Sequence, residues 1–195
     1  ALAMAAGAVR PDARLIEVAN LPNALSEAAA ADDLELILLD LKMPGADGYS
    51  GVALLHAEKP NVPILVVSSA AGQAAAMNAV RFGAVGFLGK DADLSAIESA
   101  IADALAGKTL DAPTDAEVDP VAAQIASLTP TQLKVLLGVM QGRLNKQIAF
   151  DLTIAETTVK AHVTAIMRKL GVQSRTQAVL IAKEASFASL MPEDG

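Results

Sequence analysis

The fold is decided between residues 128 and 182, where the chain reads LTPTQLKVLLGVMQGRLNKQIAFDLTIAETTVKAHVTAIMRKLGVQSRTQAVLIA. Helical apolar periodicity and helix caps recur along this stretch, which predicts an all-helical domain. Thr129, Pro130 and Gln132 have the residue types of an N-cap, a first helical residue and the third residue of a capping box. Four helices are predicted: from Thr129 to near Gly142, from a cap at Asn145 to near Asp151, from about Glu156 to Leu170, and from the capping box of Ser174 onward.

The third predicted helix is amphipathic. Its apolar side holds Val159, Val163, Ile166, Met167 and Leu170. Its opposite side holds Thr157, Lys160, Ala161, Thr164 and Arg168. Short side chains let a helix approach the floor of the DNA major groove, while lysine and threonine reach base edges and phosphates. A solvent-exposed helix without any ligand shows the same pattern, so this helix alone leaves both interpretations open.

The charge of the chain is unevenly distributed. Residues 1–126 hold seven Lys and Arg against seventeen Asp and Glu, a net charge of −10, whereas residues 127–195 hold eight against five, a net charge of +3. Such asymmetry indicates that the C-terminal part faces an anionic partner. The chain has no cysteine, which excludes disulfides and cysteine-bound zinc. With no targeting segment and no apolar run near ~20 residues, we expect a cytoplasmic protein.

The first 106 residues alternate between strand-like and helix-like stretches. Strands are predicted at 13–18, 34–40, 63–69 and 85–88, and helices at 22–31, 49–58, 73–82 and 94–106. Strands that alternate with helices of about ten residues predict a parallel sheet with helices on both faces. Prolines and acidic residues without a clear period indicate a linker at 107–126.

Three polar residues lie where predicted strands end. Asp40 ends the strand LELILLD, Ser68 ends the next strand 28 residues later, and Lys90 follows the last strand 50 residues after Asp40. A parallel sheet brings its carboxyl ends to one edge, where ligand chemistry gathers. A carboxylate nucleophile, a hydroxyl and an ammonium suit an aspartyl-phosphate site, although an aspartate alone at a strand end more often caps a turn. Ser69 is a competing hydroxyl, but the spacing from Asp40 favours Ser68.

The C-terminal stretch resembles the LuxR-type four-helix DNA-binding domain over essentially the whole length of that domain. The motifs LTP, NKQIA, TVKAHV, RKLGV and SRTQAV occur in the order and spacing of the family. The resemblance implies that the third helix enters the major groove and contacts bases through Lys160, Ala161 and Thr164. It implies phosphate contacts from Lys146, Thr157, Thr158, Arg168 and Lys169, with Arg175 as a weaker candidate. Such domains pair through the fourth helix. Ala155 departs from the Ser or Thr cap of the family, which should cost about 1 kcal/mol of local stability.

The N-terminal part resembles a response-regulator receiver domain, a flavodoxin-like α/β fold, in the NarL/FixJ arrangement that carries a LuxR-type output domain. The matching motifs are LLDLKMPGADG, VVSSA and GFLGKD. The resemblance implies that a sensor histidine kinase phosphorylates Asp40 and that Ser68 and Lys90 hold the phosphoryl oxygens. It also implies that Phe87 rotates inward as a switch, for which a plain core aromatic is the alternative.

The first strand of a receiver, with the paired acidic residues that hold Mg²⁺, has no counterpart in this sequence. Residues 1–18 match the end of the first helix and the second strand. Asp32 and Asp33 precede the Asp40 strand and should lie at the opposite edge of the sheet. If the sequence is a truncated form, Mg²⁺ would join Asp40 and the backbone carbonyl of Lys42. If the strand is truly absent, phosphorylation should fail, because nothing would neutralise the phosphoryl oxygens.

The sequence therefore predicts a receiver domain lacking its N-terminal strand at 1–106, a linker at 107–126 and a LuxR-type DNA-binding domain at 127–190. The predicted function is transcriptional regulation in a bacterial two-component system, controlled by phosphorylation of Asp40. Double-stranded DNA, a sensor histidine kinase and a second copy of the chain are the expected partners. The alternative is a phosphorylation-independent regulator whose degenerate receiver serves for dimerisation or protein binding. An enzyme is disfavoured because the chain has no Gly-rich phosphate loop and no nucleophilic cysteine, and an aromatic-lined ligand sensor because only 3% of the residues are aromatic.

Overall fold

The computed structural model describes residues 2–69, 73–108 and 119–188. Its sheet consists of three parallel strands in the order β1-β2-β3. The strands are β1 Ile37–Leu39, β2 Ile64–Ser68 and β3 Gly86–Gly89. All five residues of the central strand β2 are buried, as the continuous apolar run predicts for a strand covered on both faces. Three of the four predicted strands are thus confirmed.

Helices cover both faces of the sheet. They are α1 Leu2–Val9, α2 Leu21–Ala30, α3 Ser50–Glu58, α4 Gln73–Arg81 and α5 Leu94–Leu105. Alternate residues of β2 separate the two layers, because successive side chains of a strand point to opposite faces. Leu65 and Val67 pack in one cluster with residues of α1 and α5. Ile64 and Val66 pack in the other cluster with residues of α2, α3 and α4.

The predicted strand at 13–18 does not form, so this prediction is wrong. The segment has no regular secondary structure, and Leu15 and Ile16 are 47% and 38% exposed. A strand exists only where a neighbour pairs with its amides and carbonyls. Among the described residues, the edge strand β1 is paired on one side only, with β2, and the segment 13–18 has no partner strand.

Five helices follow in the described residues of the C-terminal part. They are α6 Pro120–Ala126, α7 Pro130–Met140, α8 Asn145–Leu152, α9 Glu156–Lys169 and α10 Arg175–Glu184. The capping box of Thr129 is present, with Gln132 N–H donating to Thr129 Oγ1 at 3.3 Å and Thr129 N–H to Gln132 Oε1 at 3.1 Å. Ser174 Oγ also accepts from Gln177 N–H at 3.2 Å. The capping box predicted there is incomplete, because Gln177 Oε1 accepts the N–H of Gln173 and not that of Ser174. No helix in the part of the chain that the structure describes is long and apolar enough to cross a membrane.

Two local expectations fail in this part. Asn145 is not the cap of α8, because Leu144 occupies the N-cap position and its N–H donates to Gln147 Oε1 at 2.8 Å. The range predicted as a linker, 107–126, includes the helix α6, which Asp119 caps and in which Ala122 and Ile125 are buried. Seven residues are too few to show a helical period in the sequence, and residues 109–118 lie outside the described residues.

The two halves of the chain share an apolar core. Helix α3 lies between the sheet and the helices α6 and α7, and its residues 50–55 are buried. After α10, Phe187 is fully buried, and its ring centroid lies 5.9 Å from that of Phe82. Tyr49 stacks on Phe82 at 6.0 Å and donates its N–H to Phe187 O at 3.1 Å. A side chain at Gly48 would be strained, because φ is +57° and a Cβ there would lie 3.0 Å from Phe187 O.

Candidate phosphoacceptor site and DNA-binding surface

The register of the sheet brings three predicted residues to one edge. Ser68 pairs with Gly89, and the following residue, Lys90, donates its N–H to Ser68 O at 3.0 Å. Lys90 Nζ lies 2.5 Å from Asp40 Oδ2, which follows β1. Lys42 N–H donates to Asp40 Oδ1 at 3.1 Å. The structure therefore places a carboxylate, an ammonium and a hydroxyl-bearing residue together, as the strand spacing predicts.

The Asp40 carboxylate is held in its ionised form. Burial raises the pKa of Asp40, but the hydrogen bond from Lys90, the backbone N–H of Lys42 and the charges of both lysines together bring the pKa below its ordinary value. The side chain is 28% exposed, so the carboxylate at the rim of the sheet can be reached from solvent. An ionised and reachable carboxylate is what nucleophilic attack on phosphorus requires.

The neighbouring candidates differ in burial. Ser68 is fully buried at the end of β2, whereas Ser69 is exposed. Phe87 is half-buried on β3, pairs with Val66 and packs against the core cluster of α2, α3 and α4. The arrangement agrees with a core role and with a mobile role for Phe87, and its rotation remains a prediction.

Acidic residues do not gather around Asp40 as a metal site. In the ranges 2–69, 73–108 and 119–188, no three His, Cys, Asp or Glu side chains are placed to hold a metal ion. Asp32 Oδ1 lies 4.0 Å from the ammonium of Lys59, just past the C-terminal end of α3, and Asp33 lies 3.8 Å from Arg14. The described side chains alone therefore do not fit a Mg²⁺ site, and the pair at 32–33 lies away from Asp40.

The outward face of α9 is open. We call this face the recognition face; its residues Thr157, Thr158, Lys160, Ala161, Thr164 and Arg168 are all exposed. Val159 and Ile166 are buried on the opposite side. Thr164 Oγ1 donates to Lys160 O at 3.0 Å, and Lys160 Nζ lies 3.0 Å from Glu156 Oε1. An exposed ion pair of this spacing contributes only about 0.3–0.5 kcal/mol, so Lys160 can leave Glu156 for an anionic ligand.

The helix-turn-helix geometry fixes the recognition face. Helices α8 and α9 pack on each other and on α7, and Thr153 ends α8 in the left-handed region at φ +55°. Ala155 is the N-cap of α9 and makes no side-chain cap bond, as the sequence predicts. Lys146 is exposed in the first turn of α8, on the same domain as the recognition face.

Two residues predicted to contact phosphates make hydrogen bonds within the protein. Lys169 Nζ donates to Ser127 O at 2.7 Å, which joins the end of α9 to the end of α6. Arg175 Nη1 donates to Asn145 Oδ1 at 2.9 Å, and its Nη2 donates to Arg143 O. These partners lie 30 to 42 residues away along the chain, so no local pattern in the sequence could have revealed them.

Family models match both parts of the chain. The model described as "Response regulator receiver domain" matches residues 9–102, and that described as "Bacterial regulatory proteins, luxR family" matches residues 126–182. The chain is 39% identical to the glycerol metabolism activator of Pseudomonas putida over 93% of its own length and 88% of that protein. It is 31% identical to the nitrate/nitrite response regulator NarL of Escherichia coli K12, over 87% and 83% of the two chains.

A solved structure of two RcsB dimers bound to two parallel DNAs has the same fold. It superposes with a TM-score of 0.50 at 19% identity, over 93% of this chain and 90% of that one. Members of the family are transcriptional regulators that bind DNA. The chain belongs to the family of two-component response regulators that join a receiver domain to a LuxR-type DNA-binding domain.

Proposed function

We propose that Asp40 accepts a phosphoryl group from a sensor histidine kinase and that this modification controls operator binding. The observation that carries the proposal is the ionised Asp40 carboxylate, 2.5 Å from Lys90 Nζ at the carboxyl edge of the sheet. A carboxylate oxygen attacks phosphorus as the histidine nitrogen of the kinase leaves. The Lys90 ammonium then donates to a phosphoryl oxygen instead of the carboxylate, and the Ser68 hydroxyl donates to a second phosphoryl oxygen.

The recognition face of α9 enters the major groove of DNA. Lys160, Ala161 and Thr164 contact base edges. Lys146, Thr157, Thr158 and Arg168 contact phosphates. The exposed side of α10, where Leu180 is 50% exposed, pairs two copies of the chain on two half-sites. The regulator acts in the cytoplasm, with a receiver at 1–106 and a DNA-binding domain at 127–190, joined by a segment that includes helix α6.

A second candidate is a regulator that works without phosphorylation. It is favoured by one observation, the lack of a carboxylate set for Mg²⁺ among the described residues. Replacing Asp40→Asn separates the two candidates. In the full-length gene product, acetyl phosphate should add one phosphoryl group to the wild type and none to the variant. It should change the affinity of the wild type alone for a duplex selected from a random-sequence pool.

The control for this experiment is Asp91→Asn, which removes a neighbouring exposed carboxylate and should leave both readouts as in the wild type. Mass spectrometry of the intact chain counts the phosphoryl groups. If Asp40→Asn still gains a phosphoryl group, Asp40 is not the acceptor. If the full-length wild type gains none and its affinity does not change, the phosphorylation-independent candidate is correct.

The pKa of Asp40 provides an independent test of the site. Lys90→Ala removes both the hydrogen bond and the charge of the ammonium, so the pKa of Asp40 should rise. Lys42→Ala is the matched control, because it removes a charge but keeps the backbone N–H that bonds Asp40, and its effect should be smaller. Carboxyl NMR titration measures both variants, and equal shifts would refute a special role for Lys90.

This pair also makes stability depend on pH. Because the pKa of Asp40 is lower in the folded than in the unfolded chain, its contribution is present above the unfolded pKa and is lost as the pH falls through the folded pKa. In the Lys90→Ala variant, this part of the acid destabilisation should shrink.

The proposed contacts to the phosphate backbone of DNA are tested by the salt dependence of binding. Replacing Lys146→Gln should make the slope of log K against log salt shallower by about one, because one fewer counterion is released from the phosphates. Lys108→Gln removes the same charge from a lysine that pairs with Asp103 at the end of the receiver, and should leave the slope unchanged. Equal slopes for Lys146→Gln and the wild type would remove Lys146 from the DNA contacts.

A further inference from the structure

The turn between α7 and α8, residues 141–144, is held by contacts from two helices. From α8, Gln147 Oε1 accepts the N–H of Leu144 at 2.8 Å. From α10, Arg175 donates to the carbonyl of Arg143 and to the side chain of Asn145, which is the first residue of α8. The start of α8 is therefore fastened to a helix that begins 30 residues later in the chain.

The contacts of Arg175 use the forked shape of its guanidinium. Nη1 and Nη2 reach two different acceptors, one on the turn and one on the helix, and a planar fork holds such a pair in one fixed geometry. The side chain is half-buried, and this burial lowers the pKa of Arg175 from its ordinary value, although the group stays charged at neutral pH. A half-buried and doubly bonded guanidinium has little freedom to rotate out to a phosphate.

The next residue after Asn145 is Lys146, which is exposed. We infer that Arg175 is a positioning residue for DNA binding and not itself a phosphate contact, and that it acts by holding the first turn of α8 so that Lys146 faces the DNA backbone. This inference rests on the proposed phosphate contact of Lys146.

The salt dependence of DNA binding distinguishes positioning from contact. We expect Arg175→Ala in the full chain to weaken binding to a duplex selected from a random-sequence pool by about tenfold at fixed salt. The salt slope should stay unchanged as long as Lys146 still contacts a phosphate. If Lys146 loses that contact altogether, the slope should become as shallow as that of Lys146→Gln. Arg175→Lys should recover part of the affinity, because an ammonium can reach one of the two acceptors. Arg14→Ala, an exposed arginine of the receiver, is the control and should change neither quantity.

A double-mutant cycle tests the route through Lys146. If Arg175 acts through Lys146, then Arg175→Ala should weaken binding much less in the Lys146→Gln background than in the wild type. Asn145→Ala removes one acceptor from the opposite side and keeps a good helix former in α8, so it should reproduce part of the Arg175→Ala effect. This second variant decides the matter if circular dichroism shows that Arg175→Ala does not fold.

The possible failures are distinguishable. An independent phosphate contact of Arg175 would make the salt slope shallower by about one in Arg175→Ala than in the wild type. It would do the same in the double variant compared with Lys146→Gln. This pair of results would overturn the inference. Additive effects in the cycle, or wild-type affinity for both Arg175→Ala and Asn145→Ala, would overturn it as well. An unchanged slope for Lys146→Gln alone would instead refute the proposed DNA contact of Lys146.

Discussion

Replacing Phe187→Ala is expected to destabilise the protein by about 3–5 kcal/mol, the usual cost of emptying a fully buried phenylalanine site. Phe187 is 0% exposed and packs against Phe82, which in turn stacks on Tyr49. The ring therefore belongs to the core that joins the two halves of the chain. Urea unfolding, followed by circular dichroism and by the emission of Tyr49, the single tyrosine in a chain without tryptophan, measures the loss.

The chain supplies a matched control for this substitution. Phe150 is 85% exposed on α8, so Phe150→Ala should change the free energy of unfolding by no more than about 0.5 kcal/mol. The N–H of Tyr49, which donates to Phe187 O, should exchange with deuterium faster in Phe187→Ala than in Phe150→Ala. Similar unfolding curves for the two variants would show that the contact between the halves contributes little to stability.

Replacing Ala161→Glu is expected to weaken DNA binding by at least about 100-fold, or ~2.7 kcal/mol, because like charges brought together at an interface cost several kcal/mol. Ala161 is exposed on the recognition face, and together with Lys160 and Thr164 it is proposed to contact bases. Glutamate is a good helix former, so α9 itself should keep its structure. Fluorescence anisotropy with the selected duplex measures the affinity.

An identical change elsewhere controls for charge and helix effects. Ala123 is exposed on α6, away from the recognition face, and Ala123→Glu should change the affinity by less than about threefold. Equal losses for the two variants would mean that net charge, and not the position on α9, weakens binding. Wild-type affinity for Ala161→Glu would remove this residue from the interface.

Local chemistry explains which elements the sequence predicts. The caps Thr129 and Ser174 act within three residues, and the structure confirms both. The buried strand β2 shows in the sequence as an apolar run because both of its faces are covered. The juxtaposition of Asp40 and Lys90 follows from strand order alone, because parallel strands end at one edge. Their chemical roles remain predictions.

Much of what the sequence does not reveal depends on residues that are distant in the chain. Residues 13–18 have the composition of a strand, but pairing depends on a neighbouring strand and not on composition. Asn145 has the residue type of a cap, yet Arg175 binds its side chain and Leu144 takes the cap position. Phe187 follows the last recognisable motif, so nothing near it in the sequence indicates that it packs against Phe82.

The core shared by the two halves and the DNA-binding surface should respond to different solution conditions. Ion pairs play no part in the contacts of Phe187, Phe82 and Tyr49, so separating the halves there exposes apolar surface and should be insensitive to ionic strength. Such contacts weaken on cooling, because the hydrophobic contribution falls with temperature. The affinity for DNA should depend on salt instead, because binding neutralises phosphate charges. Cooling should therefore weaken the contact between the two halves, and added salt should lower the affinity of the chain for its operator.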